Sequence, residues 1–341
     1  MPTLDIFKKD GFSLTSLTAS VNKLPFVPGA ASKTGIFDTK GVSTLTIEVE
    51  MREGRIVLIA NSERGSAAKQ NTRDSRNLRY FKTAHLKLAD RIMADEIQGK
   101  RKFGTDSELV TAQDEVAERQ IKMLKSHDAT VEYGRIGAIK GLIYDANGTT
   151  LLYDLFNEFG VAQQAVDFAL GTATTDIIEK CTEVREKIQD ALGAEGSDDL
   201  EVTMFCGKTW FNKFIKHAKV AEAYKFYQTT QANMNPLQVD LRYKGFKFGD
   251  ITFVVYRGNV SGVPFVNANE AHAFATNVPS LFITRYAPAD YMETVNTEGL
   301  PRYSKMAFDV MYNRWVEVET QSNPISLCTR PETLLKATTS N

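Results

Sequence analysis

The chain has 341 residues, 43% of them hydrophobic and 24% charged, and a formal net charge of −1. That length exceeds the usual single-core size, so two domains are expected. The balanced charge excludes a protein drawn as a whole to nucleic acid or to an anionic membrane. Three cysteines, Cys181, Cys206 and Cys328, are odd in number and widely spaced. With no CxxC pair they exclude zinc-ribbon and thioredoxin-like chemistry, and they read as free thiols of a reducing cytosol. Met1 to Asp10 lack an apolar signal core and no apolar run reaches bilayer length, so manufacture and use in the cytoplasm are expected.

Residues 1–43 lack helical periodicity. Pro25, Pro28, Gly29, Gly35 and Gly41 punctuate them, between isolated apolar residues Phe7, Phe12, Leu14, Leu17, Phe26 and Phe37. Aromatics in so long an aperiodic stretch predict an extended arm lying on a surface rather than a disordered tail. Thr44–Met51 then alternates with period 2, Arg52–Arg55 turns, and Ile56–Ala60 returns, which predicts a hairpin. Positions 61–77 are polar, and a third alternating run extends from Leu78 to Ile92. Between Asn61 and Lys82, six basic residues (Arg64, Lys69, Arg73, Arg76, Arg79, Lys82) face two acids, Glu63 and Asp74. A hairpin with so long a basic tip cannot bury itself and must project. The tip reads as a subunit-to-subunit arm, a solvated loop or a nucleic-acid contact. The last is weakened because Tyr80 and Phe81, at its edge, are nearly all it offers for base stacking.

From Asp106 to about Leu142 the pattern is helical. Leu109, Ala112, Val116, Met123, Val131, Ala138 and Leu142 form a stripe that Gln120 and His127 interrupt. Thr105 or Asp106 supplies an N-cap and Glu108 complements the helix dipole. Asp145-Ala-Asn-Gly148 makes a turn whose glycine comes too early for a calcium loop. A second block opens near Thr174. Ile177, Ile178, Cys181, Val184, Ile188 and Leu192 mark a helix ended by Gly193, and Glu201–Cys206 a strand. Trp210, Phe211, Phe214, Ile215, Ala218 and Tyr224 mark another helix, and Arg242–Tyr256 a hairpin turning at Gly249-Asp250. Such an order predicts an α/β layer around its own core. Met306–Tyr312 and Trp315–Glu319 return to strand.

Catalytic signatures are missing. His85, His127, His217 and His272 show no paired spacing for a metal. No Gly-x-Ser-x-Gly elbow, GxGxxG or Walker sequence occurs. Among the acids, Asp290 and Glu293 stand out in an Ala-Pro-Ala-Asp context. They read first as turn-capping groups and second as partners in an intersubunit salt bridge.

The C-terminal third carries a string of uncommon words in order: Ala287-Pro-Ala-Asp-Tyr291, Val295-Asn-Thr-Glu-Gly-Leu-Pro301, Gln321-Ser-Asn-Pro324 and Cys328-Thr-Arg-Pro331. Weaker echoes are Asn22–Pro28 and Asp167–Gly171. These closely resemble the signature of the lambda-type major capsid proteins of tailed bacteriophages, which use the fold named after phage Hong Kong 97. The resemblance is specific in residues near the C-terminus and extends to the order of elements over the whole chain. It implies an α+β fold divided into an N-terminal arm (1–43), an extended β-hairpin loop (44–102), a peripheral domain with a long spine helix (103–177), an α/β axial domain (178–282) and a peripheral C-terminal return (283–341). It further implies a shell protein without catalysis, cofactor or metal, assembling with itself as hexamers and pentamers into an icosahedral head. A scaffolding protein, a portal and, where one is used, a decoration protein would be its partners. Double-stranded DNA would be enclosed without sequence-specific binding, and the near-neutral charge suits a wall along which DNA must move. The place of work would be the virion, after assembly in the host cytoplasm, with no membrane involved. The Lys–Asn crosslink of the founding member cannot be placed on this sequence. Arg64, Lys69, Arg73, Arg76 and Arg79, with Asp290 and Glu293, are the candidate intersubunit contacts. An encapsulin-like cargo shell is the alternative within the same fold. A nucleic-acid-binding protein using the basic loop is the alternative outside it.

Overall fold

The computed structural model describes residues 14–23, 29–52, 76–97, 112–193, 199–221, 223–224, 245–260, 262–312 and 314–340. It opens with helix α1 (Leu14–Lys23), one turn of helix, α2 (Ala30–Lys33), and strand β1 (Phe37–Gly41). The extended arm expected here is therefore corrected over 14–23. Leu14, Leu17, Thr18 and Val21 follow the i, i+3, i+4, i+7 spacing of a helix face, and the last three are buried. A threonine within the stripe hid the period.

Strand β2 (Thr46–Arg52) pairs antiparallel over its whole length with β3 (Arg76–Lys82). The turn expected after Arg52 and the return over Ile56–Ala60 lie outside the described residues. Phe81 decides the β2–β3 pairing. It stands opposite Ile47, is fully buried, and packs its ring 6.0 Å from Phe159 and 5.4 Å from Tyr153. The Leu78–Ile92 run is likewise two strands, because β4 (Leu86–Met93) starts after Thr83–His85 and joins another sheet. A short helix, α3 (Ala94–Ile97), follows.

Helix α4 (Ala112–Lys140) has 29 residues, about 44 Å of length. The proposed caps and Leu109 lie outside the described residues. Val116, Met123, Val131 and Ala138 are buried as expected. Gln120 and His127 do not interrupt the stripe, which corrects the expectation. Both are buried with partners: Gln120 Nε2 donates to Ser304 Oγ at 2.8 Å, and His127 Nε2 lies 3.0 Å from Thr320 Oγ1. Gly141, at φ +75°, stops the helix in the left-handed conformation that glycine tolerates best. Leu142 therefore belongs to β5 (Leu142–Tyr144), which turns through Asp145–Thr150 into β6 (Leu151–Asp154). Asp154 caps α5 (Leu155–Phe159), and β7 (Gln164–Asp167) follows.

Helix α6 (Ile177–Leu192) agrees with the predicted span, capped by the Asp176 side chain and ended at Gly193. Ile178 is the exception: it is 56% exposed, since one step along a helix rotates a side chain by about 100°. Strand β8 (Val202–Cys206) leads to α7 (Lys208–Lys216), which buries Trp210, Phe211 and Phe214. Strands β9 (Gly245–Phe248) and β10 (Ile251–Val255) form the predicted hairpin. Gly249 and Asp250 both have positive φ, +54° and +61°, as the commonest two-residue hairpin turn requires. A small ribbon, β11 (Asn259–Val260) with β12 (Val263–Pro264), precedes the buried β13 (Ala271–Ala275).

The chain ends in β14 (Phe282–Tyr286), β15 (Tyr303–Phe308), β16 (Trp315–Ser322), β17 (Pro324–Cys328) and β18 (Leu335–Thr338). The strand expected to reach Tyr312 stops at Phe308. The Asp309 carboxylate accepts hydrogen bonds from the backbone N–H of Met311 and Arg314, at 3.1 and 3.3 Å, and so closes a turn. Three sheets organise the molecule: β1-β14-β17, β15-β16-β4, and a six-stranded sheet in the order β7-β18-β13-β8-β10-β9. The six-stranded sheet thus takes strands from before and after the 178–282 block. Its core is aromatic, with the Phe214 ring 4.3 Å from Phe253 and 5.4 Å from Trp210. A second, smaller core of Ile92, Val116, Met123 and Val318 lies between α4 and the β15-β16-β4 sheet.

Candidate intersubunit surfaces

Any surface presented to a neighbour must first be anchored in its own subunit. One face of α4 does this with three charges at i, i+4 and i+7: Asp128, Glu132 and Arg135. Arg302 Nη2 donates to both Asp128 oxygens at 2.7 and 2.9 Å, with the two side chains only 6% and 4% exposed. Arg302 Nη1 also donates to the Val21 carbonyl at 3.2 Å, which fastens α1. Glu132 accepts from the N–H groups of Ala31 and Ser32 at 2.7 and 3.0 Å. It thereby satisfies donors left open at the start of α2 and places negative charge at the positive end of that turn. Glu132 also accepts from Tyr256 Oη at 2.9 Å, and burial together with that carboxylate pushes the Tyr256 hydroxyl pKa well up. Arg135 Nη1 donates to Ser32 Oγ at 2.7 Å, and its guanidinium lies 5.2 Å from the centre of the Phe37 ring. The sequence reading missed this clamp. Its signal was the spacing itself, unlike charges repeated along one helix face.

The basic loop rises from the β2–β3 stem. Arg64, Lys69 and Arg73 lie outside the described residues. Arg76 begins β3, in backbone register with Arg52. Arg79 points inward and is half-buried, its guanidinium 5.9 Å from the centre of the Phe159 ring, so it has a contact within its own chain. The other face of the stem is open: Tyr80 is 60% and Leu78 49% exposed, and Leu45, in the bend just before β2, is 60% exposed.

Asp290 and Glu293 sit in the turn after β14. The Asp290 N–H donates to Gln321 Oε1 at 2.9 Å, while its side chain faces solvent. Glu293 pairs with Lys305 at 2.7 Å on the surface, and that contact lowers its pKa. Among the described residues, then, Arg79 and the two acids have separate partners within the subunit.

No set of three His, Cys, Asp or Glu residues among those described could hold a metal ion. All three cysteines are buried and free, and desolvation pushes the thiols of Cys181 and Cys328 up to about 12. Burial also keeps His127 below its ordinary pKa, against the opposing pull of Thr320 and Asp128. None of the described helices is long and apolar enough to cross a membrane.

Comparison with known proteins agrees with this architecture. The family profile of phage major capsid protein E matches residues 13–339. The chain is 31% identical over 344 residues to the major capsid protein of Pseudomonas phage KPP10, covering 96% of this chain and 97% of that one. It is 27% identical to the major capsid protein of Salmonella phage Felix O1, covering 96% of each. The mature capsid of bacteriophage PhiM1 has a similar fold, with a TM-score of 0.52, 13% identity, and 89% and 85% of the two chains covered.

Proposed function

This chain belongs to the phage major capsid protein E family, and on that premise we propose that its copies build the icosahedral head of a tailed bacteriophage. The observation that carries this reading is the match to a phage major capsid protein at 31% identity across 96% of the chain. The family is structural rather than enzymatic, and the described residues are arranged for packing. A neighbour-facing arm explains a stem that buries one face on Phe159 and leaves Leu78 and Tyr80 exposed on the other. Isolated two-stranded hairpins are marginal in water, and exposed apolar patches mark interaction sites.

The finer reading is hexamers and pentamers closing around a scaffolding protein and a portal, with a decoration protein where one is used, and with DNA enclosed without sequence readout. In it, residues 1–43 form the arm, 44–102 the loop, 103–177 and 283–341 the peripheral domain, and 178–282 the axial domain. Basic residues Arg64, Lys69, Arg73 and Arg76 would meet acids of a neighbour, with Asp290 the exposed acid available in return. A cargo shell is not favoured, since the relatives found by sequence are phage major capsid proteins. Electron microscopy of the full chain co-expressed with its phage's scaffolding protein tests the proposal. Closed shells or capsomers are expected; discrete monomers that bind DNA would overturn it.

A further inference from the structure

The turn between β15 and β16 forms a knob, and a cleft at the other end of the same sheet forms a hole. We propose that the knob of one subunit seats in the cleft of a second copy of this chain, an inference that rests on the shell reading above.

The knob is Val310, Met311 and Tyr312, which are 93%, 82% and 68% exposed. Three consecutive large apolar side chains are unusual at a surface turn, where short polar residues and glycine dominate. The turn is held in shape from both sides. Asp309 accepts from the N–H groups of Met311 and Arg314, and the Arg314 guanidinium lies 4.8 Å from the centre of the Tyr312 ring. A knob fixed in advance loses little conformational freedom on docking.

The cleft has a volume of about 310 Å³ and is walled by Tyr133, Ile143, Leu152 and Pro324. That is the low end of the range of about 300–1,000 Å³ found for pockets that enclose a small molecule, so it suits one or two large side chains. Leu152 is 46% exposed at its edge. Lys82 and Asp145 bring one charge of each sign to the lining. The knob is flanked by one charge of each sign as well, Asp309 and Arg314. Docking can therefore pair Asp309 with Lys82 and Arg314 with Asp145, which sets orientation more than affinity.

The knob cannot enter the cleft of its own subunit. β16 and β4 pair in register from Trp315↔Met93 to Ser322↔Leu86. The knob lies beyond the first pair, and Leu86, from the last pair, lines the cleft. Eight paired residues separate the two by about 24 Å along a stiff sheet. A knob and a hole on different faces make a head-to-tail contact, which closes into a ring when the rotation permits. Five- and six-membered capsomers need contacts of that kind.

The test uses shells of the Met311→Cys/Leu152→Cys double variant. Native thiols are buried, so the background is low. Mild oxidation should give a ladder of disulfide-linked multimers on a non-reducing gel, removed by reductant and missing from either single variant. Shells with both new thiols intact and no ladder overturn the proposal. Should the double variant not assemble, the Leu152→Cys single variant, carrying a photoreactive maleimide, is incorporated into shells with wild-type subunits. Its crosslinked peptide should contain residues 310–312, and attachment elsewhere overturns the proposal. Wild-type chain that never forms shells would instead remove the shell reading, a separate outcome.

Discussion

Asp128 and Arg302 form the most consequential residue pair in the described structure, because both are charged and almost wholly buried. Removing one partner strands the other charge, so Asp128→Leu or Arg302→Met alone should lower stability by about 3–5 kcal/mol. Replacing the pair together, Asp128→Leu with Arg302→Met, should cost much less. Denaturant unfolding of the four members of this cycle checks both expectations; equal losses from the single and double changes would contradict them. His127 sets a second residue-scale effect. Its folded pKa lies below the unfolded value of about 6.5, so below that pH the unfolded chain binds more protons. The stability tied to neutral His127 is present above pH 6.5 and is lost as the pH falls through it, at up to about 1.4 kcal/mol per pH unit. Buried His272 is shifted in the same sense. Unfolding midpoints at pH 7, 6 and 5 should therefore fall, and His127→Gln, which can keep a hydrogen bond to Thr320, should flatten the decline.

At the scale of elements, α4 is the member on which the others converge. It shares one small core with β4 and β16 through Val116 and Met123, and it clamps α1 and α2 through its charges. Val116→Asp or Met123→Asp would bury an unpaired carboxylate in that core, a change that costs more than about 4 kcal/mol. Insoluble protein is expected from expression and fractionation, and soluble, assembling variants would show that this face tolerates charge. The stripe that identifies α4 was legible in the sequence. Its polar members were misread as interruptions, because Ser304 and Thr320, which satisfy Gln120 and His127, come from strands nearly two hundred residues away. Helix α6 and the β9–β10 hairpin were legible almost to the residue, since a capping aspartate, a terminal glycine and a Gly-Asp turn act locally.

For the whole molecule, the loop charges are the feature most directly tied to assembly. Arg79 belongs to its own subunit through Phe159, so the informative variant replaces Arg64, Lys69, Arg73 and Arg76 with Ser. Solubility and circular dichroism should stay near wild type, while electron microscopy should show failed or aberrant shells. Arg79→Ser should instead cost about 0.5–1 kcal/mol of subunit stability. Exposed charge pairs are screened over about 8 Å at physiological ionic strength, so raised salt should weaken wild-type assembly where those pairs dominate. Normal shells from the fourfold variant would remove the loop charges from the assembly argument.

The sequence by itself determined the family, through words such as Ala287-Pro-Ala-Asp-Tyr291 and Gln321-Ser-Asn-Pro324. It also determined the elements whose signals are local: period, cap and turn residue. The candidate contacts were readable only as charge and position. Tertiary structure alone decided that β3 pairs with β2, because Phe81, opposite Ile47, finds the aromatic pocket of Phe159 and Tyr153 far along the chain. It alone decided that 14–23 is a helix, since Leu17 and Val21 gain from that conformation only when β15 and Arg302 are there to receive them. Pairings between distant segments depend on what each surface meets after folding, and no short window of sequence contains that partner.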